Sequence, residues 1–215
     1  MQTIAVVDYG MGNLRSVVNA LEAVIGKGQR VVLSSDADCI MRADRVVFPG
    51  QGAAADCMRA IDEYGLRDTI VNAAQNKPFL GICMGLQVLV SHSEENGGID
   101  CLDLYKGQVR FFGNTRTDHL GDKLKVPHMG WNSVVQTKTH PLWQGIEDGS
   151  RFYFVHSYYL DVDDKSIIVG ETDYGIAFAS AIATDNVFAL QCHPEKSANA
   201  GLQLLSNFVD WDGQP

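Results

Sequence analysis

The run Lys77 to Leu89, KPFLGICMGLQVL, constrains the fold more than any other stretch of the chain. Pro78 to Ile82 is a short apolar run of the kind that forms a buried strand, and from Gly85 onward Leu86, Leu89 and Val90 recur at helical spacing. Cys83 is thereby placed on a strand-to-helix turn. Gly81 and Gly85 flank it in the G-x-C-x-G form of a nucleophile elbow, in which glycines permit a strained turn that pushes one side chain out over the sheet edge. The sulfur would stand at a helix N-terminus, where free N–H groups and the helix dipole favour thiolate over thiol and can hold an oxyanion. A buried structural cysteine is the alternative role for the same residue.

Around this stretch, strands and helices alternate. Thr3 to Val7 reads as a strand, followed by the turn Gly10-Met11-Gly12-Asn13 and an amphipathic helix through Leu14, Val17, Val18, Leu21, Val24 and Ile25, with Asn13 as its N-cap. A strand, a glycine turn and a helix also suit a dinucleotide site, but Arg15 stands where G-x-G-x-x-G requires its third glycine. Arg30 to Leu33 and Arg45 to Phe48 read as strands, the second running into Pro49-Gly50-Gln51-Gly52, and Ala53 to Ile61 and Leu66 to Ala74 read as helices. This pattern predicts a flavodoxin-like α/β fold, a doubly wound and mostly parallel sheet whose ligand lies beyond the carboxyl ends of the strands. The turn at 50 to 52 should then lie close to Cys83.

The second half changes character. After a polar loop at 91 to 98, Gln108 to Phe112, Asn132 to Gln136, Arg151 to Leu160, Ile167 to Glu171 and Phe178 to Ile182 read as strands on short turns, an additional antiparallel section packed beside the first sheet. Gly113 to Lys125 reads as an exposed polar excursion. Val187 to Cys192 is a last buried strand, and Asn199 to Trp211 a closing helix with Leu202, Leu205 and Phe208 on one face.

With 215 residues, 46% of them hydrophobic, the chain can bury one full core, so 1–215 is expected to be a single domain. A net charge of −9 argues against binding nucleic acid or an anionic membrane surface, and no apolar run has membrane-spanning length. The five cysteines form no C-x-x-C pair, so neither a zinc site nor a disulfide framework is suggested, and without a basic leader the expected location is a reducing cytoplasm.

His193 and Glu195 stand two apart in an extended stretch stiffened by Pro194, so both can point to one side. A carboxylate holding the far nitrogen of an imidazole fixes its tautomer, while the near nitrogen activates a thiol: nucleophile, base and orienter. A plain strand exit is the other reading of His-Pro-Glu.

Pro49-Gly50-x-Gly52, Gly81-x-Cys83-x-Gly85-x-Gln87 and His193-Pro194-Glu195 together resemble the triad-type, class I glutamine amidotransferases. Within them, Asp8-Tyr9-Gly10-x-Gly12-Asn13-Leu14, His128-Met129-Gly130-Trp131-Asn132, Phe154-Val155-His156-Ser157-Tyr158 and His193-Pro194-Glu195-Lys196-Ser197 resemble the family of glutaminase subunits of imidazole glycerol phosphate synthase. The resemblance implies hydrolysis of L-glutamine to glutamate and ammonia through a thioester, with Cys83 as nucleophile, His193 as proton shuttle and Glu195 as its orienter, and with no cofactor or metal. It implies a heterodimer in which ammonia passes to a (β/α)8 cyclase subunit in histidine biosynthesis. The backbone of Met84 and of Gly50-Gln51 would form the oxyanion hole; Gly52 and Gln87 would contact substrate, Glu95 its α-amino group, and the Ser157-Tyr158 backbone its carboxylate. Asn13, His128, Met129, Gly130, Trp131, Asn132, Tyr153, His156 and Lys196 would lie at or near the cyclase interface. Gln51 and Cys192 depart from the small aliphatic residue and the phenylalanine that the family often has there. Two rival readings keep the fold: a glutaminase serving another synthase, which the segments at 8–14 and 128–132 oppose, and an assembly module, which an intact triad opposes.

Overall fold

Alternation along the first strand sets the two-sided core. The structure, a computed structural model, describes residues 1–117 and 120–214. In β1 (Gln2–Val7), Ala5 and Val7 face one apolar cluster and Ile4 and Val6 the other, as the two-residue period of a strand requires when both faces are covered. The first cluster packs against α2 (Ala37–Arg42), α3 (Ala54–Glu63) and α4 (Arg67–Asn76) through Ile40, Met58, Ile61 and Ile70. The second packs against α1 (Leu14–Glu22) and α6 (Ala198–Asp210) through Val17, Leu21, Leu204, Leu205 and Phe208. Each such side chain taken out of water contributes about 1.5–3 kcal/mol.

β2 (Gln29–Ser34), β1, β3 (Arg45–Gly50), β4 (Phe79–Cys83) and β14 (Val187–Leu190) lie side by side and all parallel, in the order 2-1-3-4-14. This is the flavodoxin-like doubly wound order. The antiparallel section is continuous with this block through the β14 pairing with β13 (Ala177–Thr184), where the sequence reading had it packed beside. Beyond β13 follow β11 (Tyr158–Val162), β7 (Tyr105–Phe111), β5 (Val90–Ser93) and β6 (Ile99–Asp100), with β12 (Ile168–Asp173) and β9 (Val135–Gln136) branching from β13. A separate two-stranded ribbon pairs β8 (His128–Ser133) with β10 (Arg151–His156).

Several expected elements differ. The helix after Cys83, α5 (Met84–Gln87), is a single turn, because the chain from Val90 enters the sheet beside β7. That removes the helix-dipole contribution expected at Cys83, and places Ser91 to Ser93, read as loop, in a strand. The run 151–160 is two strands in different sheets, broken at Ser157. Asn13 occupies the N-cap position but its side chain makes no capping bond, and α1 stops before Val24 and Ile25. Leu202 is 37% exposed, so Leu204 takes its expected place in the core. The short α2 has no counterpart among the elements expected from the sequence. Of the excursion 113–125, Asp118 and His119 lie outside the described residues; the rest is mostly exposed, with one bridge between Thr117 and Lys123.

Candidate active site

β3 and β4 carry the two glycine turns to the same sheet edge, where Gly50 is the register partner of Cys83. Cys83 holds φ 54° and ψ −106°, the strained conformation an elbow demands. The flanking glycines follow from contact distances. A Cβ on Gly85 would sit 1.9 Å from the Phe48 carbonyl oxygen, and one on Gly81 would sit 2.7 Å from the Gly85 carbonyl oxygen. No side chain fits at either position, so the elbow can form only with both.

His193 leaves the end of β14, and residues 194–196 form a 3₁₀ turn in place of the expected extended stretch. The turn still brings Glu195 back onto the ring: His193 Nδ1 lies 2.9 Å from Glu195 Oε1, with side chains 2% and 1% exposed. Ser197 locks it, donating to the His193 carbonyl at 2.6 Å and accepting from the Tyr153 N–H at 2.9 Å, while the His193 N–H reaches the Tyr153 carbonyl at 2.9 Å. Burial alone would lower the His193 pKa; the charge of the neighbouring Cys83, then the hydrogen bond and charge of Glu195, outweigh it and raise the value to about 10. His193 Nε2 makes no hydrogen bond of good geometry, so the ring lies beside the sulfur without a tight bond to it. Resting catalytic contacts are often this loose.

Cys83, Met84, Gln87, Gln51, Gly52, Glu95, Ser157, Tyr158 and His193 line one cavity of about 410 Å³. The remaining expected substrate contact, Gly50, lies elsewhere, facing a void of about 10 Å³ behind the triad shared with Asn13 and Glu195. Its glycine is required because a Cβ would sit 2.4 Å from the Tyr9 hydroxyl oxygen and 2.7 Å from Met84 Cβ. Tyr9 in turn donates to the Pro49 carbonyl at 2.9 Å, so the turn after β1 braces the Pro49-Gly52 turn and is structural. Glu95 Oε2 accepts from the Ala54 N–H at 2.6 Å at the start of α3, which fixes the carboxylate at the cavity wall.

The residues expected at a partner interface divide. Met129 is 62% and Trp131 44% exposed, Asn13 is exposed, and Gly130, Asn132 and Tyr153 are half-buried on or against the β8–β10 ribbon. His128 and His156 are buried among Phe112, Phe154 and Phe178, so neither ring offers a surface contact. Their pKa values are pushed down by burial, to about 4 and about 3. His156 and Lys196 line the cavity itself.

Gln191 was missed. Its Nε2 donates to Cys83 Sγ at 3.6 Å, and its Oε1 accepts from Gln87 Nε2 at 2.9 Å. A fully buried amide in the apolar run VFALQC must find partners, and that was the available signal. Among the described residues no group of three or more His, Cys, Asp or Glu side chains could hold a metal ion.

The chain matches the family Glutamine amidotransferase class-I over residues 5–211. It is 56% identical to the imidazole glycerol phosphate synthase subunit HisH of Pseudomonas putida over 214 residues, covering 100% of both chains. It is 59% identical over 210 residues to the HisH subunit of Thiobacillus denitrificans, covering 97% of this chain and 91% of that one. The structure of PurLQS from Thermotoga maritima superposes with a TM-score of 0.70 at 20% identity, covering 97% of this chain and 98% of that chain, which supports the fold.

Proposed function

Because the chain belongs to the class I glutamine amidotransferases and, within them, to the HisH subunits of imidazole glycerol phosphate synthase, we propose that it hydrolyses L-glutamine with Cys83, His193 and Glu195. The observation that carries the reading is the buried His193–Glu195 contact of 2.9 Å backing onto a strained cysteine that opens into the 410 Å³ cavity.

In the first half-reaction the Cys83 sulfur attacks the side-chain amide carbon, and the carbonyl π pair moves onto oxygen. The Met84 N–H and the Gly50-Gln51 turn receive that charge. As the C–N bond breaks, His193 Nε2 gives its proton to the leaving nitrogen, and ammonia departs from a thioester. In the second half, His193 takes a proton from water as the oxygen attacks the thioester, the C–S bond breaks, and glutamate leaves with the thiolate restored. Glu195 holds Nδ1–H throughout, so that Nε2 is always the nitrogen facing the reaction. An oxyanion donor of this kind is typically worth about 10²–10³ in rate.

Ammonia released in open water would be lost, so the product needs a consumer docked at the cavity mouth. The exposed Met129 and Trp131 on β8 are the apolar surface such a partner would cover, and the relatives' being subunits of imidazole glycerol phosphate synthase supports a (β/α)8 cyclase as that partner. Five free cysteines suit a reducing cytoplasm.

The test is Cys83→Ser in the complex with the cyclase. Glutamine-dependent product formation should be lost while added ammonium salt restores it. Retained glutamine-dependent turnover would sink the assignment.

A further inference from the structure

The two buried histidines that the mechanism leaves unused face each other across the β8–β10 ribbon, where His156 and His128 are register partners. His128 Nδ1 lies 2.9 Å from His156 Nε2, and His156 Nδ1 lies 2.7 Å from the Tyr158 carbonyl oxygen. At the other end Asn132 Nδ2 lies 3.2 Å from His128 Nε2.

The direction of this chain follows from its last member. A carbonyl oxygen only accepts, so His156 Nδ1 must carry a hydrogen. A neutral imidazole has one donor and one acceptor, so His156 Nε2 accepts and His128 Nδ1 donates to it. His128 Nε2 is then an acceptor, and it faces an amide nitrogen. That amide is itself oriented, because Asn132 Oδ1 accepts from the Ser133 N–H at 2.8 Å and Nδ2 also donates to the Asp173 carbonyl at 2.9 Å. Every hydrogen along the line has one consistent position, and a proton added to either ring would set two N–H groups against each other.

We propose that His128 and His156 are positioning residues, a one-way hydrogen-bond relay from Asn132 to the Tyr158 carbonyl that holds the Ser157–Tyr158 wall of the glutamine cavity. In the ladder Phe111 lies opposite Tyr158 as a non-hydrogen-bonded pair, its N–H turned away to Glu94 Oε2 at 3.2 Å, so β7 offers the Tyr158 carbonyl no backbone donor. The Tyr158 carbonyl is held instead by two side chains, His156 and Gln87, the latter at 3.0 Å. The Ser157 carbonyl accepts from the Phe112 N–H at 3.1 Å. With both carbonyls fixed, the planar peptides fix the direction of the intervening N–H as well. His128 is kept in place by stacking on Tyr174, centroids 3.9 Å apart, and on Phe154 at 4.9 Å. The relay is a statement about geometry; its effect on glutamine binding rests on the glutaminase reading above, and the two are separated by the experiment.

The first readout is ¹⁵N NMR of the imidazoles in the full chain at pH 7. Both rings should be neutral and protonated on Nδ1, opposite to the Nε2–H form preferred by free histidine; an Nε2–H or charged ring at either position overturns the relay whatever the activity. The second compares two variants in the complex. His128→Phe keeps the stacking and loses the donor, whereas His128→Asn loses the stacking and keeps an N–H at the Nδ1 position. KM for glutamine should rise roughly two- to tenfold in the first, by more than kcat changes, and lie closer to the native value in the second. The reverse order would make the pair mere packing. If the native complex turned over no glutamine, the glutaminase reading would fall while the tautomers still decided the relay.

Discussion

The strain at Cys83 has a measurable sign. A non-glycine residue at φ 54° and ψ −106° carries a conformational cost of about 1–3 kcal/mol, held in place by the surrounding sheet. Cys83→Gly should release that cost, since glycine occupies positive φ freely, but it adds about 0.5–1 kcal/mol of unfolded-chain entropy. Cys83→Ala keeps the strain and loses the same sulfur. The difference between the two variants therefore cancels the lost sulfur contacts and leaves strain minus entropy, about 1 kcal/mol in favour of glycine. For a chain of this length that is about 2–4 °C in melting temperature. Parallel thermal and urea melts of the two variants measure it, with unchanged m-values as the check that unfolding remains comparable. Both variants should lack glutamine-dependent turnover. An alanine variant as stable as the glycine variant, or more so, would mean that the elbow is relaxed and that its geometry stores nothing for catalysis.

Two further outcomes follow from the same site and its surroundings. His193→Ala should lower glutamine turnover in the complex by at least about 10³-fold, whereas Glu195→Gln should cost less because the amide oxygen can still accept from Nδ1; equal losses would make Glu195 more than an orienter. On acidification, His128, His140 and His156, with pKa values lowered from 6.5 to about 4, 4 and 3, stay neutral in the folded chain while the unfolded chain takes up their protons. Their contribution is complete above pH 6.5 and drains away as pH falls towards 4 and 3, so the urea midpoint should drop between pH 7 and 4.5. A flat midpoint over that range would contradict the burial of these rings.

The parts of this site legible in the sequence are those whose chemistry is written locally. Gly81, Cys83 and Gly85 announce an elbow because the steric demand of a tight turn falls on residues two positions away. His193 and Glu195 announce an orienting pair for the same reason, and even the wrong backbone, extended where the chain forms a 3₁₀ turn, left them on one side. The longer helix expected after Cys83 does not form, although Leu86, Leu89 and Val90 satisfy a helical period. What decided against it was the β7 edge waiting for Val90 to Ser93, a partner that lies beyond the window in which periodicity is judged. The break at Ser157 was hidden likewise: neither glycine nor proline marks it, and the two strands part because one finds β8 and the other finds β7.

Polar residues buried far from their partners form the other illegible class. Gln191 reaches a sulfur 108 positions away in the chain, and His128 and His156, which the family resemblance puts at or near the partner interface, are buried instead. A buried polar group is tolerated only when its hydrogen bonds are made, so each such residue implies a partner that the fold must bring to it. Here all three partners lie around the same cavity. Gln87 donates both to the Tyr158 carbonyl, where the histidine relay ends, and to Gln191, which faces the nucleophile. The wall that would hold the substrate and the sulfur that would attack it thus share one buried amide, and an error in either is felt by both. That shared dependence is why apolar replacements here would cost more than packing: each would leave a buried partner such as the Tyr158 carbonyl short of a donor.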